Sequence, residues 1–564
     1  MNITQKQALL CAVASVALVS AFDVQARQQV GTTNGAESIA LGANSVANGD
    51  RASAVGDGAT ADGADSTAVG ARAKATTNGT ALGSDTEATG SGSTAIGYNT
   101  TASGVSSIAI GLASSATAQS AVAIGNGAAA SGQNGVALGL NAQARATNAV
   151  SIGPSAGRDS AVTSGVFIGM AAGSSATGEK TVGIGNSAGA NSQGVLNTFV
   201  GSDNTGSGVI GSRNVGLGQA SLYRTVGNVN TGVGHQAGQN SNGDANVAVG
   251  SAAGSWLNGT NNIAIGQIAG AGGNSSSRLT ADYTTSIGTA ARSVANYGIA
   301  IGSGVDNNGV ISAGAITAGV GGIAIGSNGV RGARADGANA LALGAESRSY
   351  VDGAIAIGYQ AAAQAADTVH IGVGAGANGL PTNWRTVAVG SGAGSSSNGE
   401  DNSFFGHQSG VSTVGSENVG VGDFSLYASD GFYNTGLGSQ AGRNVTGGAN
   451  TAVGVEAGSY LIGAGNTAVG SDAGKGTDSA PREVNNSTSR QTLNPMNRSP
   501  SVTSQPQWVW ALWLPVRTAT LTVWTPSPSV TARMPLVTRP SRWAAARLTA
   551  SALSQSAPVS KLKC

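Results

Sequence analysis

The sequence predicts an all-β solenoid, a chain wound into a stack of short coils joined by parallel strands. Three observations carry that prediction. Between Ser38 and Gly153 a short apolar motif ending in glycine keeps returning, as SIALG, TAVG, TALG, TAIG, VAIG and VALG. Its closing glycines are Gly42, Gly56, Gly70, Gly83, Gly97, Gly111, Gly125, Gly139 and Gly153, about fourteen residues apart, the signature of a repeat array. Composition agrees: with 90 Gly, 4% aromatic and 10% charged residues among 564, the chain lacks the large side chains that several conventional cores need. Glycine does not recur at every third place, which rules out collagen.

Within each motif the residue before the glycine is branched: Leu41, Val55, Val69, Leu82, Ile96, Ile110, Ile124, Leu138 and Ile152. The residue before that is Ala or Ser. Strand alternation places the two rows on opposite faces. The branched row is expected to fill the coil interior as a core ladder, while the small row lets a second backbone layer approach. Burying one branched side chain is worth about 1.5–3 kcal/mol. No single coil has enough of them to offset its chain entropy, so the coils must stack.

The chain opens with Lys6 and the apolar run ALLCAVASVALVSAF, which reads as a secretory signal, residues 1–26, cleaved between Ala26 and Arg27. The run is shorter than the ~20 residues of a spanning helix. Cys11 leaves with the signal, and Cys564 is the only other cysteine, so no disulfide framework is available. The formal charge of +1 hides an asymmetry: nine of the 28 bases and none of the 27 acids lie from Arg490 onward. The acidic repeat region is a poor nucleic-acid binder.

The mature chain divides by rhythm. Residues 27–153 carry the fourteen-residue coils. Residues 154–270 carry coils of about sixteen, closing at Gly169, Gly185, Gly201, Gly218, Gly234, Gly250 and Gly266. Residues 271–389 are irregular, with insertions such as GGNSSSRLTADYTTS and SRSYVDG that project from the stack. Residues 390–476 resume the longer step. The longer coils place Asn four positions before the glycine, at Asn197, Asn214, Asn230, Asn246 and Asn262, and again at Asn402, Asn418, Asn434, Asn450 and Asn466. Asn tolerates left-handed turns, and stacked amides form hydrogen-bonded ladders, so this column is structural. Asn214 to Gly266 aligns with Asn418 to Gly470 without a gap, SLY included, which marks an internal duplication. At a strand spacing of about 4.8 Å, roughly 28 coils give a rod on the order of 130 Å long.

In its period, its small-residue row and its export signal, the chain from Ser38 to about Gly474 resembles the YadA-like head repeats (SxAxG) of trimeric autotransporter adhesins. The resemblance implies a left-handed parallel β-roll and a homotrimer of chains packed side by side. It implies display at the tip of a fibre on a Gram-negative cell, and binding to host matrix proteins, cell surfaces or other bacterial cells. The sequence departs from that family in showing no heptad stalk and no membrane-barrel strands, so no membrane anchor is expected in this chain.

Residues 477–564 break the pattern, with no glycine and with five of the seven tryptophans. This tail is expected to be disordered. One reading is repeat DNA translated in a shifted frame. Trp has the single codon TGG, and joining its last base to the next two returns Gly at Trp508, Trp510 and Trp543. Sequencing the coding DNA across the junction decides it. The other reading is a genuine basic segment whose cluster WVWALWLP lies on a membrane surface.

No catalytic, cofactor-binding or metal-binding residue is assigned, and no cofactor is expected. His235 and His407 each follow a closing glycine but lie many coils apart, and His370 is the third histidine. Arg334, Ala335 and Asp336 only approximate an integrin-binding tripeptide. Two functions from different classes fit: an adhesive fibre, and a solenoid enzyme or phage-fibre-like polysaccharide-binding protein. The second needs carboxylates clustered on one face, whereas Asp and Glu here are scattered. The adhesive reading, not an enzyme, is therefore preferred. Its candidate contact residues are Tyr283 and Tyr350 in the irregular coils, and an aromatic patch of Phe424, Tyr427, Phe432 and Tyr433.

Overall fold

The computed structural model describes residues 31–304, 314–328 and 331–483, and the backbone of 488–490. The signal segment with Ala26 and Arg27, and the tail beyond 490, lie outside the described residues. Among those described there is no helix, and the chain is an all-β parallel solenoid of about 27 turns. Each turn contributes one three-residue strand, the apolar motif, to a continuous front sheet. Each strand pairs in parallel with its counterpart one coil away: Thr94–Ile96 with Ile108–Ile110, and Ile108–Ile110 with Val122–Ile124. The register holds across the irregular region, where Ile263–Ile265, Thr285–Ile287, Ile299–Ile301 and Ile323–Ile325 pair in succession. Insertions are absorbed in the connections and leave the ladder unbroken.

The fourteen-residue coils have a second, back sheet of nine two-residue strands, from Thr32–Thr33 to Gln143–Ala144. A five-stranded equivalent runs from Arg292–Ser293 to Ala362–Ala363. In the sixteen-residue coils that sheet is reduced to two-stranded pairings, such as Thr177–Glu179 with Gln193–Val195, and to single bridges, such as Gln193 to Ile210 to Val226 to Asn242. The added residues go into the turn after the closing glycine. In one such turn Gln236, Gly238 and Asn240 all have positive φ, and Ala237 between them is fully buried.

The expected facing of the front strand is reversed. The core is the small row: Ala40, Ala54, Ala68, Ala81, Ala95 and Ala109 are at most 2% exposed, and they pack against Ala47, Ala61 and Ala75 of the back sheet. The branched ladder points outward: Leu41 is 43%, Val69 37% and Ile152 38% exposed. Val55, Leu82, Ile96, Ile110, Ile124 and Leu138 are half-buried. With a period of two, the middle residue of a three-residue strand faces inward and both flanks face out. A coil of fourteen residues is too narrow for anything larger than methyls from two facing sheets. Each buried methyl gains about 0.8 kcal/mol, and alanine loses no side-chain entropy on burial.

Wider coils admit larger groups where glycine makes room. Phe167, Phe199 and Phe404 take the inner position and are at most 1% exposed. Along the ladder Phe167 is followed by Gly183, Phe199 by Gly216 and Phe404 by Gly420. The turns also yield: a Cβ on Gly206 would stand 2.0 Å from the Phe199 ring. The closing glycines have a separate reason to be glycine. Gly111 has φ +127°, and a Cβ there would meet the Gly125 carbonyl oxygen of the next coil at 2.7 Å.

The asparagine column joins consecutive long coils through the backbone. Asn246 takes its place between Asn230 and Asn262: its N–H donates to Asn230 Oδ1 (2.9 Å), and its own Oδ1 accepts from the Asn262 N–H (3.0 Å). Its Nδ2 donates to the Gly259 carbonyl (2.8 Å). Asn197, Asn214 and Asn230 bond likewise, as do Asn402, Asn418, Asn434, Asn450 and Asn466 through their N–H to Oδ1 contacts. Most partners are main-chain groups, and the expected amide-on-amide contact occurs as well, where Nδ2 of Asn262, Asn450 and Asn466 donates to Oδ1 of Asn246, Asn434 and Asn450.

The coils also run past the expected boundary at 476. Arg482–Glu483 pairs with Leu461–Ile462, and the backbone of Thr488–Arg490 pairs with Thr467–Val469.

Candidate functional site

Because the coil interiors are filled, by methyl groups in the short coils and by Phe and Asn as well in the long ones, partners are met on the outside. Three outward surfaces differ in chemistry. The first is the front sheet. Its outer row before the closing glycine presents an apolar side chain coil after coil, with Ile168 36%, Leu343 39% and Leu437 48% exposed. Its other outer row mixes aliphatics such as Ile39 (52%), Ile108 (37%) and Ile263 (39%) with Thr and Ser such as Thr67, Thr94 and Thr231. Stripes of this extent are rare on monomeric soluble proteins.

The second surface is the line of left-handed corners, many occupied by charged residues. Arg51 (φ 57°) donates in bidentate fashion to Asp65 (φ 56°) one coil on, with both contacts at 2.6 Å. Arg72 and Asp85, and Arg385 and Asp401, repeat the pairing. The guanidinium hydrogen bonds hold the carboxyls of Asp65, Asp85 and Asp401 below the usual carboxylate range, and the arginines are raised in return. Exposed pairs of this kind contribute little stability. They lace neighbouring corners together.

The third surface carries the aromatics. Tyr283 stacks on Tyr297, the equivalent corner one coil on, with centroids 5.2 Å apart and planes 9° from parallel; both rings are more than half exposed. Tyr350 is 37% exposed and accepts a hydrogen bond from Arg348 Nη1 (3.0 Å). The patch expected at 424–433 divides. Phe424 and Tyr427 lie in the long turn after one front strand, 5.7 Å apart, flanked by His407 edge-on at 5.2 Å and by Arg443 over Tyr427 at 5.6 Å. Phe432 and Tyr433, 56% and 60% exposed, lie in the short turn before the next strand, on the other edge of the coil. They join no ring contact with the first pair among the described residues. Nearness in sequence misleads here because half a coil separates the two turns.

Sequence order does not reveal Tyr297, Arg348 and Arg443 as members of these clusters, nor that His407 sits edge-on to Phe424. The available signal was spacing: side chains one coil length apart are neighbours. His407 Nδ1 meets Asp423 Oδ1 sixteen residues away at 2.8 Å. His370 behaves differently. It replaces the inner small residue, its Nδ1 lies 2.6 Å from the Ala362 carbonyl oxygen, and burial lowers its pKa. Arg334 and Asp336 bond to each other (2.7 Å) around a buried Ala335, so the approximate tripeptide is closed on itself. No group of three or more metal-ligating side chains occurs among the described residues, and no helix among them is long and apolar enough to cross a membrane.

A stack of similar coils with a filled interior and patterned outer faces defines a repeat protein that works through its surface. The family model for the YadA head domain repeat matches residues 34–59, 47–73, 61–79, 77–100, 102–128, 130–156 and 335–361. The matched segments are repeats of the YadA head type, and they support a YadA-like trimeric autotransporter adhesin head region. That family is one of surface-displayed structural adhesins. No curated protein matches the chain. The sixteen-residue coils lie largely outside the matched segments, yet they continue the same front ladder.

Proposed function

We propose that this chain forms the head of a homotrimeric adhesin displayed outside the cell, attaching it to host matrix, host cells or other bacteria. The observation that supports it best is the aliphatic front face. An apolar row repeated over the whole stack is a poor surface to leave in water, and side-by-side packing of identical chains covers it along its full length. Attachment then rests on the remaining corners and turns. Many weak contacts per chain, multiplied over three chains, give avidity without a deep pocket.

Sedimentation equilibrium of the full chain, with binding to matrix-coated and cell-coated surfaces, tests this reading. Three copies and saturable attachment are expected. A stable monomer at micromolar concentration overturns the packing, and absence of attachment to every surface overturns the adhesive role.

A further inference from the structure

The insertion after Gly266 builds a concave feature whose lining joins an indole to polar side chains without a carboxylate, unlike the grooves beside Tyr98 and Tyr350, which carry Asp or Glu. Its loop, closed by pairing of Asn274 with Ser277, folds back against two earlier coils. The Gly272 N–H donates to the Ser255 carbonyl (2.8 Å), and the Arg278 guanidinium lies over the Trp256 ring at 5.4 Å while donating to the Asn240 carbonyl (2.7 Å). The result is a groove of about 470 Å³ lined by Gln236, Gln239, Ser255, Trp256 and Arg292, with Ile316 at one end. No front-strand residue lines it, so packing of chains on the front face leaves it open.

The lining has a definite chemical bias. It combines an indole wall, two carboxamides, the hydroxyls of Ser255 and Ser277 and a guanidinium, with no carboxylate, in a repeat region that is acidic overall. Arg292 is exposed and makes no ion pair among the described residues, whereas Arg51, Arg72 and Arg385 are all paired. A flat apolar wall takes the face of a sugar ring, carboxamides read hydroxyls as donors and acceptors together, and a free guanidinium seeks a carboxylate. We propose that this groove is a subsite for an acidic oligosaccharide, one whose charge is a sugar carboxylate. The proposal rests on the adhesin reading, for which it names one ligand class.

The internal duplication supplies a control. The same loop recurs after Gly470: Gly476 N–H donates to the Ser459 carbonyl (2.8 Å), and Thr477 pairs with Ala480. There the aromatic is Tyr460, and Pro481 follows the loop where Arg278 does in the first copy.

The test is titration of the full chain with 3′-sialyllactose and with a hyaluronan oligosaccharide, against lactose and a cello-oligosaccharide as neutral partners. Binding of one acidic sugar at least about tenfold tighter than its neutral partner is expected, and the arm that binds distinguishes a sialylated from a uronic source. Arg292→Gln, on an exposed side chain, should remove that preference, Trp256→Ala should abolish binding, and Tyr460→Ala should change neither. Equal binding of acidic and neutral sugars, or retention of the preference in Arg292→Gln, overturns the charge assignment. No binding by a chain that still attaches to matrix-coated surfaces overturns the subsite alone. Loss of attachment as well counts against the adhesin reading too.

Discussion

Phe199 and Gly206 test how a narrow coil accepts an aromatic ring. Phe199 is fully buried, and the Gly206 backbone crosses its face so closely that an added Cβ would lie 2.0 Å from the ring. Phe199→Ala leaves a cavity and should cost about 3–5 kcal/mol. Gly206→Ala forces the ring aside and places alanine at φ +63°, and should cost roughly 2–5 kcal/mol, of which about 1–2 is the left-handed backbone. In the double variant the obstacle is gone and the new methyl occupies part of the vacated space. The pair should therefore cost about 1–3 kcal/mol less than the sum of the singles. Coils contact only their neighbours, so native-state hydrogen exchange is the suitable assay. The amides to follow are Val182, Thr198 and Val215, which bridge successive rungs to Asn197, Asn214 and Asn230. Strict additivity, or an unperturbed Gly206→Ala, would refute the account of ring and glycine as a matched pair.

Acid should act on the coil around His370. Burial depresses its pKa, so its contribution is intact above the ordinary imidazole value and is lost as pH falls toward the depressed one. Below about pH 6, hydrogen exchange near 369–390 should show stability falling by up to about 1.4 kcal/mol per pH unit. His370→Ala, which copies Ala356 and Ala388 at the same ladder position, should flatten that dependence; an unchanged profile counts against it. The facing of the front strand is tested by a neighbouring pair. Ala109→Asp buries an unpaired charge and should cost about 3 kcal/mol or more, whereas Ile110→Asp should spare the coil and weaken association of chains. Equal melting temperatures with unchanged sedimentation would contradict the assignment.

Much of this architecture is legible in the sequence because one coil writes the same instruction many times. The closing glycines set period and register, and the front pairing follows them residue for residue. The alternation of Leu41 and Ala40 correctly separates two faces, but hydrophobicity alone assigns the wrong one to the interior. The deciding quantity is coil diameter, which depends on how near the two sheets come and is fixed by alanines on both. The asparagines announce a column, whereas their main-chain partners appear only when successive coils are superposed. The aromatic residues fared least well: Tyr283 and Tyr297 meet across one coil, while Phe424 and Tyr433, closer in sequence, do not. A solenoid converts distance along the chain into a phase, and the relevant neighbour is one circumference away.

The unbroken front ladder has a consequence for how such a chain changes over generations. Successive closing glycines are separated by anything from the short spacing of Gly70 to Gly83 to the long one of Gly302 to Gly326, yet every strand returns to the same seat. Whole coils can accordingly be gained or lost by recombination between near-identical segments without remaking any packing contact elsewhere. The segment that begins at Asn214 and its counterpart at Asn418 are a record of one such event. Each coil so added carries what lies beyond it about 4.8 Å further on, so reach is adjusted in fixed increments while the chemistry of each surface evolves independently.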